Sequence, residues 1–151
     1  MRKTAAAFAA LGLAVLGVSA TATTAHAGPI CNEKLPGFGS DGMVRAWQLK
    51  DCSGIYLGGT ESYDSDWGND KGPFQGSDEN RASSVMNTGY PGKYDVVSFY
   101  RLPGYKGGFV CLEPGELYAD DLSDNRFTND DIVDNRISSH RWIISCSNLL
   151  T

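Results

Sequence analysis

The sequence predicts an all-β protein, an antiparallel sandwich of short strands stapled by two disulfide bonds. Three observations lead to this prediction: the β-branched and aromatic stretches are short, turn dipeptides separate them, and four cysteines follow an export signal. The chain has 151 residues, with 13 Lys and Arg against 18 Asp and Glu. A chain of this size buries one core, so we expect a single domain.

Residues 1–27 are predicted to be a signal peptide. Arg2 and Lys3 give a positive start, residues 5–20 are almost wholly apolar, and Ala25-His26-Ala27 supplies the small-x-small pattern of a cleavage site. The alternative is a retained membrane anchor, but the apolar run is shorter than the ~20 residues that a spanning helix needs. We therefore expect a secreted, extracellular protein that begins at Gly28.

The charge of the predicted mature chain is strongly negative. Removal of residues 1–27 leaves 124 residues with 11 basic and 18 acidic side chains, a net charge of −7. This balance argues against a protein that binds nucleic acid through its phosphates. We expect a monomer that associates with neither nucleic acid nor, after cleavage, a membrane.

All four cysteines lie in the predicted mature chain. An even number of cysteines in an exported protein indicates disulfides rather than a metal cluster, and no C-x-x-C spacing argues otherwise. Three pairings are open from the sequence. The favoured one joins neighbours along the chain, Cys31 with Cys52 and Cys111 with Cys146.

Short strands are predicted between the turn signals. Sixteen of the 18 glycines lie beyond residue 27, and the turns that they mark leave room for few long helices. Residues 95–100 are followed by a glycine-rich bend and then by 109–112, which is typical of a hairpin. The predicted strands are 43–49, 54–57, 83–86, 94–102, 108–112 and 137–145.

A weak internal repeat organises the acidic residues. Asn80-Arg81-Ala82-Ser83-Ser84 returns 55 residues later as Asn135-Arg136-Ile137-Ser138-Ser139, with four identities in five positions. Thirteen of the 18 carboxylates lie in two runs, 61–79 and 116–134, directly ahead of the two copies. Charge runs are usually solvated surface, but two runs at equivalent points of a repeat favour a site.

These residues resemble the βγ-crystallin family. Asp134-Asn135-Arg136-Ile137-Ser138-Ser139 is similar to the family's calcium pattern, and Tyr100 and Gly107 enclose six residues, as in its aromatic-x6-glycine hairpin signature. The first copy departs from the pattern, with Glu79 at its first position and no glycine six residues beyond Tyr56. The resemblance implies a Greek-key β-sandwich of two motifs over 55–145, an N-terminal extension over 28–54 and a C-terminal tail over 146–151.

The resemblance also implies calcium sites shared between the motifs. Calcium takes 6–8 oxygen ligands, which Asp, Asn, Ser and backbone carbonyls supply. The implied ligands are Asp134, Asn135, the Arg136 carbonyl and Ser138 in the second motif, and Asn80, the Arg81 carbonyl and Ser83 in the first. The alternative is that these side chains only form hydrogen bonds with backbone groups of the turns and bind no metal. The similar run 124–129 ends in Asn rather than Ser and is predicted to be a loop.

Catalysis has little support in the sequence. His140 is the only histidine of the predicted mature chain, it lies in a predicted strand, and no Gly-x-Ser-x-Gly elbow exposes a nucleophile. One histidine and four cysteines expected to be oxidised do not provide an open zinc site. We therefore expect a protein that is not an enzyme.

A second resemblance concerns function. Trp67-Gly68, Gly72-Pro73-Phe74 and the first repeat copy are similar to sequences in small secreted bacterial peptidase inhibitors of βγ-crystallin fold, typified by a metalloproteinase inhibitor. This implies a secreted protease as partner, although neither the protease nor the inhibitory loop follows from the sequence. The alternatives are an extracellular calcium-binding module without inhibitory activity and a secreted antimicrobial, killer-toxin-like protein.

Overall fold

The structure, a computed structural model, describes residues 28–151. The predicted signal peptide lies outside the described residues. Within 28–151, no helix is long and apolar enough to cross a membrane. The elements are α1 (Pro29–Phe38), β1 (Met43–Leu49), β2 (Ser53–Thr60), β3 (Ser84–Thr88), β4 (Val96–Leu102), β5 (Lys106–Leu112), β6 (Tyr118–Ala119) and β7 (Ser139–Ile143), with a 3-10 turn over Gly76–Asp78.

The strands form two antiparallel sheets. The first has the order β2-β1-β3-β6 and the second β5-β4-β7. The predicted hairpin is β4 with β5, in which Val97 faces Leu112 and Tyr100 faces Phe109. The all-β antiparallel class is therefore confirmed.

Each half of the chain begins with a hairpin, and the segment after that hairpin, its third segment, pairs with the other half's sheet. β6, from the second half, pairs with β3, so that Val85 faces Ala119. In return Asp64, from the first half, forms an antiparallel bridge with His140 in β7. This exchange produces the sandwich of two Greek-key motifs that the resemblance implies.

The first hairpin carries the aromatic-x6-glycine signature that seemed absent. Trp47 and Gly54 enclose six residues in the β1–β2 hairpin, as Tyr100 and Gly107 do in the β4–β5 hairpin. Both glycines have left-handed backbone, with φ of 72° and 76°, which favours glycine. The signature of the first motif therefore begins at Trp47, nine residues before Tyr56.

The predicted extension 28–54 contains part of the first sheet. Its residues from Met43 onward form β1, an inner strand of the first sheet, and the start of β2. Only α1 and its connection lie outside the sheets. Helix α1 was not predicted, because it contains Pro36 and its only buried residue is Cys31.

The core lies between the two sheets. The rings of Trp67 and Phe74 stack with centroids 3.9 Å apart, and His140 meets both edge-on. His140 is fully buried, and its Nδ1 accepts a hydrogen bond of 2.9 Å from the indole of Trp67. Because indole nitrogen only donates, the proton of the neutral ring lies on Nε2, which donates to the Ser62 carbonyl at 3.2 Å. Burial lowers the pKa of His140 to about 4.

The disulfides have the favoured pairing, Cys31–Cys52 and Cys111–Cys146. The first attaches α1 to the sandwich, where the carboxylate of Asp51 also accepts the backbone N–H of Cys31 at 3.0 Å. The second holds the expected tail 146–151, which runs beside β5 and buries Leu150. The tail is thus part of the packed structure.

Candidate cation-binding sites at the paired loops

The two repeat copies meet through their asparagines. Asn80 and Asn135 both have φ of 55°, a left-handed conformation that Asn adopts more readily than most residues. The N–H of Asn80 donates to the Ile137 carbonyl, and the N–H of Asn135 donates to the Ala82 carbonyl, both at 2.9 Å. Each acceptor directly precedes the Ser of the opposite motif, so the backbone of each loop is held next to the repeated serines of the other.

The first site comprises Asn80, Arg101 and Ser138. The Ser138 hydroxyl is buried and lies 3.3 Å from Asn80 Oδ1 and 3.1 Å from the Arg101 carbonyl oxygen. A hydroxyl has one proton, so it can donate to only one of these two acceptors at a time. Three oxygens from both motifs thus converge with a surplus of acceptor capacity.

A guanidinium faces this first site. Arg101 Nη1 lies 3.5 Å from Asn80 Oδ1, and its Nε lies 3.6 Å from a carboxylate oxygen of Asp131. The buried Nε has no hydrogen-bond partner, because 3.6 Å is too long for one. The positive charge disfavours a second cation close to Asn80.

The second site comprises Ser83, Asp134 and Asn135. Asp134 Oδ2 accepts a hydrogen bond of 2.8 Å from Asn135, whereas its Oδ1 is buried and accepts none. Two backbone hydrogen bonds connect Asp134 with Ser83 through Leu122. The Asp134 N–H donates to the Leu122 carbonyl, and the Leu122 N–H donates to the Ser83 carbonyl. A buried carboxylate oxygen without a donor is a position at which a cation would be stabilised.

The remaining predicted ligands are carbonyls of the two arginines in the repeat. Arg81 reaches Ser77 Oγ at 3.4 Å with its side chain, and Arg136 lies 3.8 Å from Asp131. The N–H of Arg136 donates to the Val133 carbonyl at 3.0 Å, which fixes the turn. Both guanidinium groups therefore contact partners away from Asp134, and the two carbonyls remain the predicted ligands.

Lys50 is a charged residue near the second acidic run that no sequence motif indicates. Its ammonium lies 2.7 Å from Asp121 Oδ2 and 2.8 Å from the Ser123 hydroxyl. The hydrogen bond to Asp121 raises the pKa of Lys50, and the charges of Asp134 and Asp124 act in the same direction. Burial alone would raise the pKa of Asp121, but the bonds from Lys50 and Ser123 lower it. One acidic run is thus partly neutralised from the first hairpin.

The donor set has the chemistry of calcium rather than of zinc. Within residues 28–151, no group of three or more His, Cys, Asp or Glu side chains could hold a metal ion. A metal at the paired loops would therefore depend on the Asp134 carboxylate together with amide, hydroxyl and carbonyl oxygens, all of which calcium accepts as ligands. The similar run 124–129 forms structural hydrogen bonds instead. The side chain of buried Asn125 accepts the Thr151 N–H and donates to the Asp121 carbonyl.

Comparison with known proteins shows likeness in fold at low sequence identity. No family model and no curated protein matches the chain. A structure from work on the evolution of the eye lens βγ-crystallin domain fold is 18% identical, with a TM-score of 0.48, over 70% of this chain and 88% of that one.

Two further solved structures have similar coverage. A βγ-crystallin from an archaeon is 22% identical, with a TM-score of 0.46, over 67% of this chain and 96% of that one. A βγ-crystallin from Ciona intestinalis is 16% identical, with a TM-score of 0.46, over 67% and 99%. In its own strand order and its exchanged third segments, the protein has a βγ-crystallin-type fold.

Proposed function

We propose that this protein is a secreted, disulfide-stapled βγ-crystallin-type module that binds Ca2+ at the second site. The observation that carries the proposal is the buried Oδ1 of Asp134, which accepts no hydrogen bond. A calcium ion there would satisfy that oxygen and gain ligands from the Ser83 hydroxyl, the Asn135 side chain and the Arg136 carbonyl. The aligned loops of both motifs supply these groups from an already folded framework.

The two sites should differ in affinity. The first site offers neutral oxygens beside the Arg101 guanidinium, whereas the second offers a carboxylate with an unused oxygen. A cation is repelled by the former charge and attracted by the latter. Calcium binding is therefore assigned to the second site, and the first site is weaker.

Calcium would adjust the stability of this fold only modestly. Extracellular modules bind calcium with dissociation constants of about 10⁻⁴ to 10⁻³ M. At ~1 mM calcium this range adds about 0.4 to 1.4 kcal/mol to the free energy of unfolding. The core and the two disulfides stabilise the protein without metal.

Calorimetric titration of the chelator-treated protein with calcium chloride tests the proposal. The wild type should give one binding event in the stated range, and Asp134→Asn, which keeps the shape and removes the charge, should abolish it. Asp70→Asn makes the same change of charge at an exposed position and should leave binding intact. Absence of heat and of any change in melting temperature with the wild type would refute calcium binding.

Peptidase inhibition is a second candidate, supported by one anchored loop. The loop comprises residues 68–73, and its two ends are fixed by the stacked, fully buried rings of Trp67 and Phe74. Within the loop, Asn69 accepts the N–H of Lys71 at 2.6 Å through its side chain. A loop held in this way loses little conformational entropy when it enters a protease cleft.

A protease panel tests the second candidate. Micromolar protein should slow at least one secreted metallo- or serine protease, and Lys71→Ala, at the exposed tip of the loop, should weaken that inhibition. Lys93→Ala, an exposed lysine on another loop, is the matched control. If the wild type slows none of the proteases, the inhibitor proposal is wrong, and growth assays on fungi and bacteria then test the antimicrobial alternative.

A further inference from the structure

A small aromatic cleft lies at the opposite end of β3 from the paired loops. It has a volume of about 250 Å³, less than the ~300–1,000 Å³ of sites that enclose drug-sized ligands. It therefore suits a group of a few heavy atoms. Its lining residues are Gly42, Glu61, Gly89, Tyr90, Tyr94 and Trp142.

Two glycines position two of the rings. A Cβ atom on Gly42 would lie 2.5 Å from the Tyr90 ring, and one on Gly89 would lie 2.7 Å from the Trp142 ring. Both rings thus pack directly on backbone that any larger residue would cover. The Trp142 indole also donates a hydrogen bond of 3.1 Å to the Ser62 carbonyl, which fixes its orientation. The cleft is therefore formed before any ligand arrives.

The rings of the cleft are not used in packing with other rings. Within residues 28–151, Tyr90, Tyr94 and Trp142 form no stacked or edge-on pair with another aromatic ring, whereas Trp47, Trp67 and Tyr100 each form at least one such contact. Tyr90 and Tyr94 are 61% and 59% exposed. Both tyrosine side chains are therefore mostly open to solvent.

The charge of the cleft is complementary to a cation. Among the lining residues, all within the described part of the chain, Glu61 alone is charged. Aromatic faces carry negative electrostatic potential and attract cations. The chain already shows this attraction, since the Lys93 ammonium lies 5.6 Å from the centroid of the Tyr94 ring.

The predominance of ring faces over oxygens narrows the class of cation. A metal ion needs several oxygen ligands, and Glu61 is the one carboxylate among the lining residues. A bare ammonium is strongly hydrated and carries three N–H donors, and ring faces do not replace the hydrogen bonds to water that it would lose. An alkylated ammonium has few or no donors and binds through ring faces and a single opposite charge. We propose that the aromatic cleft binds the alkylated ammonium group of a small molecule of the choline type.

NMR titration of the full mature chain with choline tests this proposal. The indole N–H signal of Trp142, assigned with Trp142→Phe, should move with a dissociation constant of the order of 1 mM, while the signals of Trp47 and Trp67 stay in place. The neutral isostere 3,3-dimethylbutan-1-ol should bind at least about fivefold more weakly. Equal binding of the neutral isostere, or movement of all three indole signals, would overturn the proposal.

Variants locate the binding and separate it from folding. Tyr90→Leu and Glu61→Gln change exposed side chains and should each weaken choline binding about fivefold. Lys93→Gln removes the competing ammonium and should strengthen it about twofold. Tyr56→Leu, an exposed tyrosine elsewhere, should have no effect. Unchanged binding in Tyr90→Leu and Glu61→Gln would place the ligand elsewhere and refute the proposal.

A trimethyllysine peptide tests the commitment to a small molecule. It presents the same group on a protein and should bind no more tightly than choline does. A dissociation constant clearly lower than that of choline would overturn the small-molecule ligand. The titrations are run in chelator, so their outcome does not depend on calcium binding at the paired loops.

Discussion

Asn80 and Asn135 are related by near-symmetry: both have φ of 55°, and each donates its N–H to a carbonyl of the other's motif at 2.9 Å. Each acceptor, Ile137 or Ala82, stands immediately before a serine of the repeat. The repeated Asn therefore has a structural task at the motif junction before any metal is considered. The two tasks can be separated by experiment.

Asn135→Gly should separate the fold from metal binding. Glycine adopts left-handed backbone without strain, so the free energy of unfolding in chelator should change by no more than about 0.5 kcal/mol. Asn135→Ala should lose about 1 kcal/mol, because a Cβ without a polar group is strained there. Denaturant unfolding of both variants measures the difference.

The same Asn135→Gly variant should bind calcium more weakly than the wild type, because it lacks the side-chain oxygen. Asn80→Gly makes the same change at the first site and should leave the calcium isotherm unchanged. An equal loss in both variants would mean that backbone geometry, rather than the second site, controls binding.

Arg101→Gln should improve the first site. The guanidinium lies 3.5 Å from Asn80 Oδ1, and its removal takes away a repulsion of about 1 kcal/mol or more between the charge and an incoming ion. We expect a second calcium event in calorimetry, or an affinity about fivefold higher at that site. Arg126→Gln alters an arginine outside both sites and should reproduce the wild-type isotherm.

The hairpin glycines should differ in their tolerance of alanine. Gly107→Ala should lose about 1 kcal/mol of unfolding free energy from its left-handed backbone, whose φ is 76°. Gly54→Ala should lose more, because the new Cβ would also lie 2.7 Å from Leu49 Cγ. Gly115→Ala, where nothing lies within 4 Å, is the control and should be nearly neutral. Equal losses at all three positions would contradict the assignment.

His140 should make the protein less stable in mild acid. Its pKa falls from 6.5 in the unfolded chain to about 4 in the fold, because burial penalises the charged ring. The stabilisation is fully present above pH 6.5 and is lost as the pH falls through about 4, by about 3 kcal/mol. The hydrogen bond from Arg45 lowers the pKa of Asp41 to about 2, so that group acts only between pH 3.8 and about 2.

Urea unfolding between pH 8 and pH 4 measures the effect of His140. His140→Asn should be less stable at pH 8 but should show a flatter dependence between pH 6.5 and pH 4. A slope in that window identical to the wild type would show that other groups are responsible.

Loss of the Cys31–Cys52 disulfide should release α1 without unfolding the sandwich. The helix contains Pro36 and packs through a small satellite cluster with Trp47 and Met86. Replacement of both cysteines by serine should lower the free energy of unfolding by about 3 kcal/mol. Limited proteolysis should then cut within 29–38 first, whereas simultaneous loss of all structure would contradict this assignment.

Much of the fold could be predicted because strand patterns are local. The predicted strand 43–49 coincides with β1, and the other five predicted strands overlap β2, β3, β4, β5 and β7. β6 was missed, because its two residues gain their partners from β3 across the sandwich. The residues around β6 in the sequence do not indicate that it pairs with β3.

The sites were harder to predict, because they depend on residues distant in sequence. The repeat identified Asn80 and Ser138, and the structure brings them within 3.3 Å. The charge that disfavours a cation at the first site comes from Arg101, which lies in the second hairpin and belongs to no motif. The signature of the first hairpin begins at Trp47 rather than at Tyr56, and Trp47 lies in the segment predicted to be an extension.

The exchange of third segments has a consequence for cooperativity. Because β3 pairs with β6 and Asp64 pairs with His140, neither half of the chain can complete its own sheet. A fragment ending near residue 92 would leave a row of backbone donors and acceptors unpaired and should not fold alone. The amide protons of β1 and β4 should exchange with deuterium at one common free energy, as parts of a single unit that opens only when the whole sandwich unfolds.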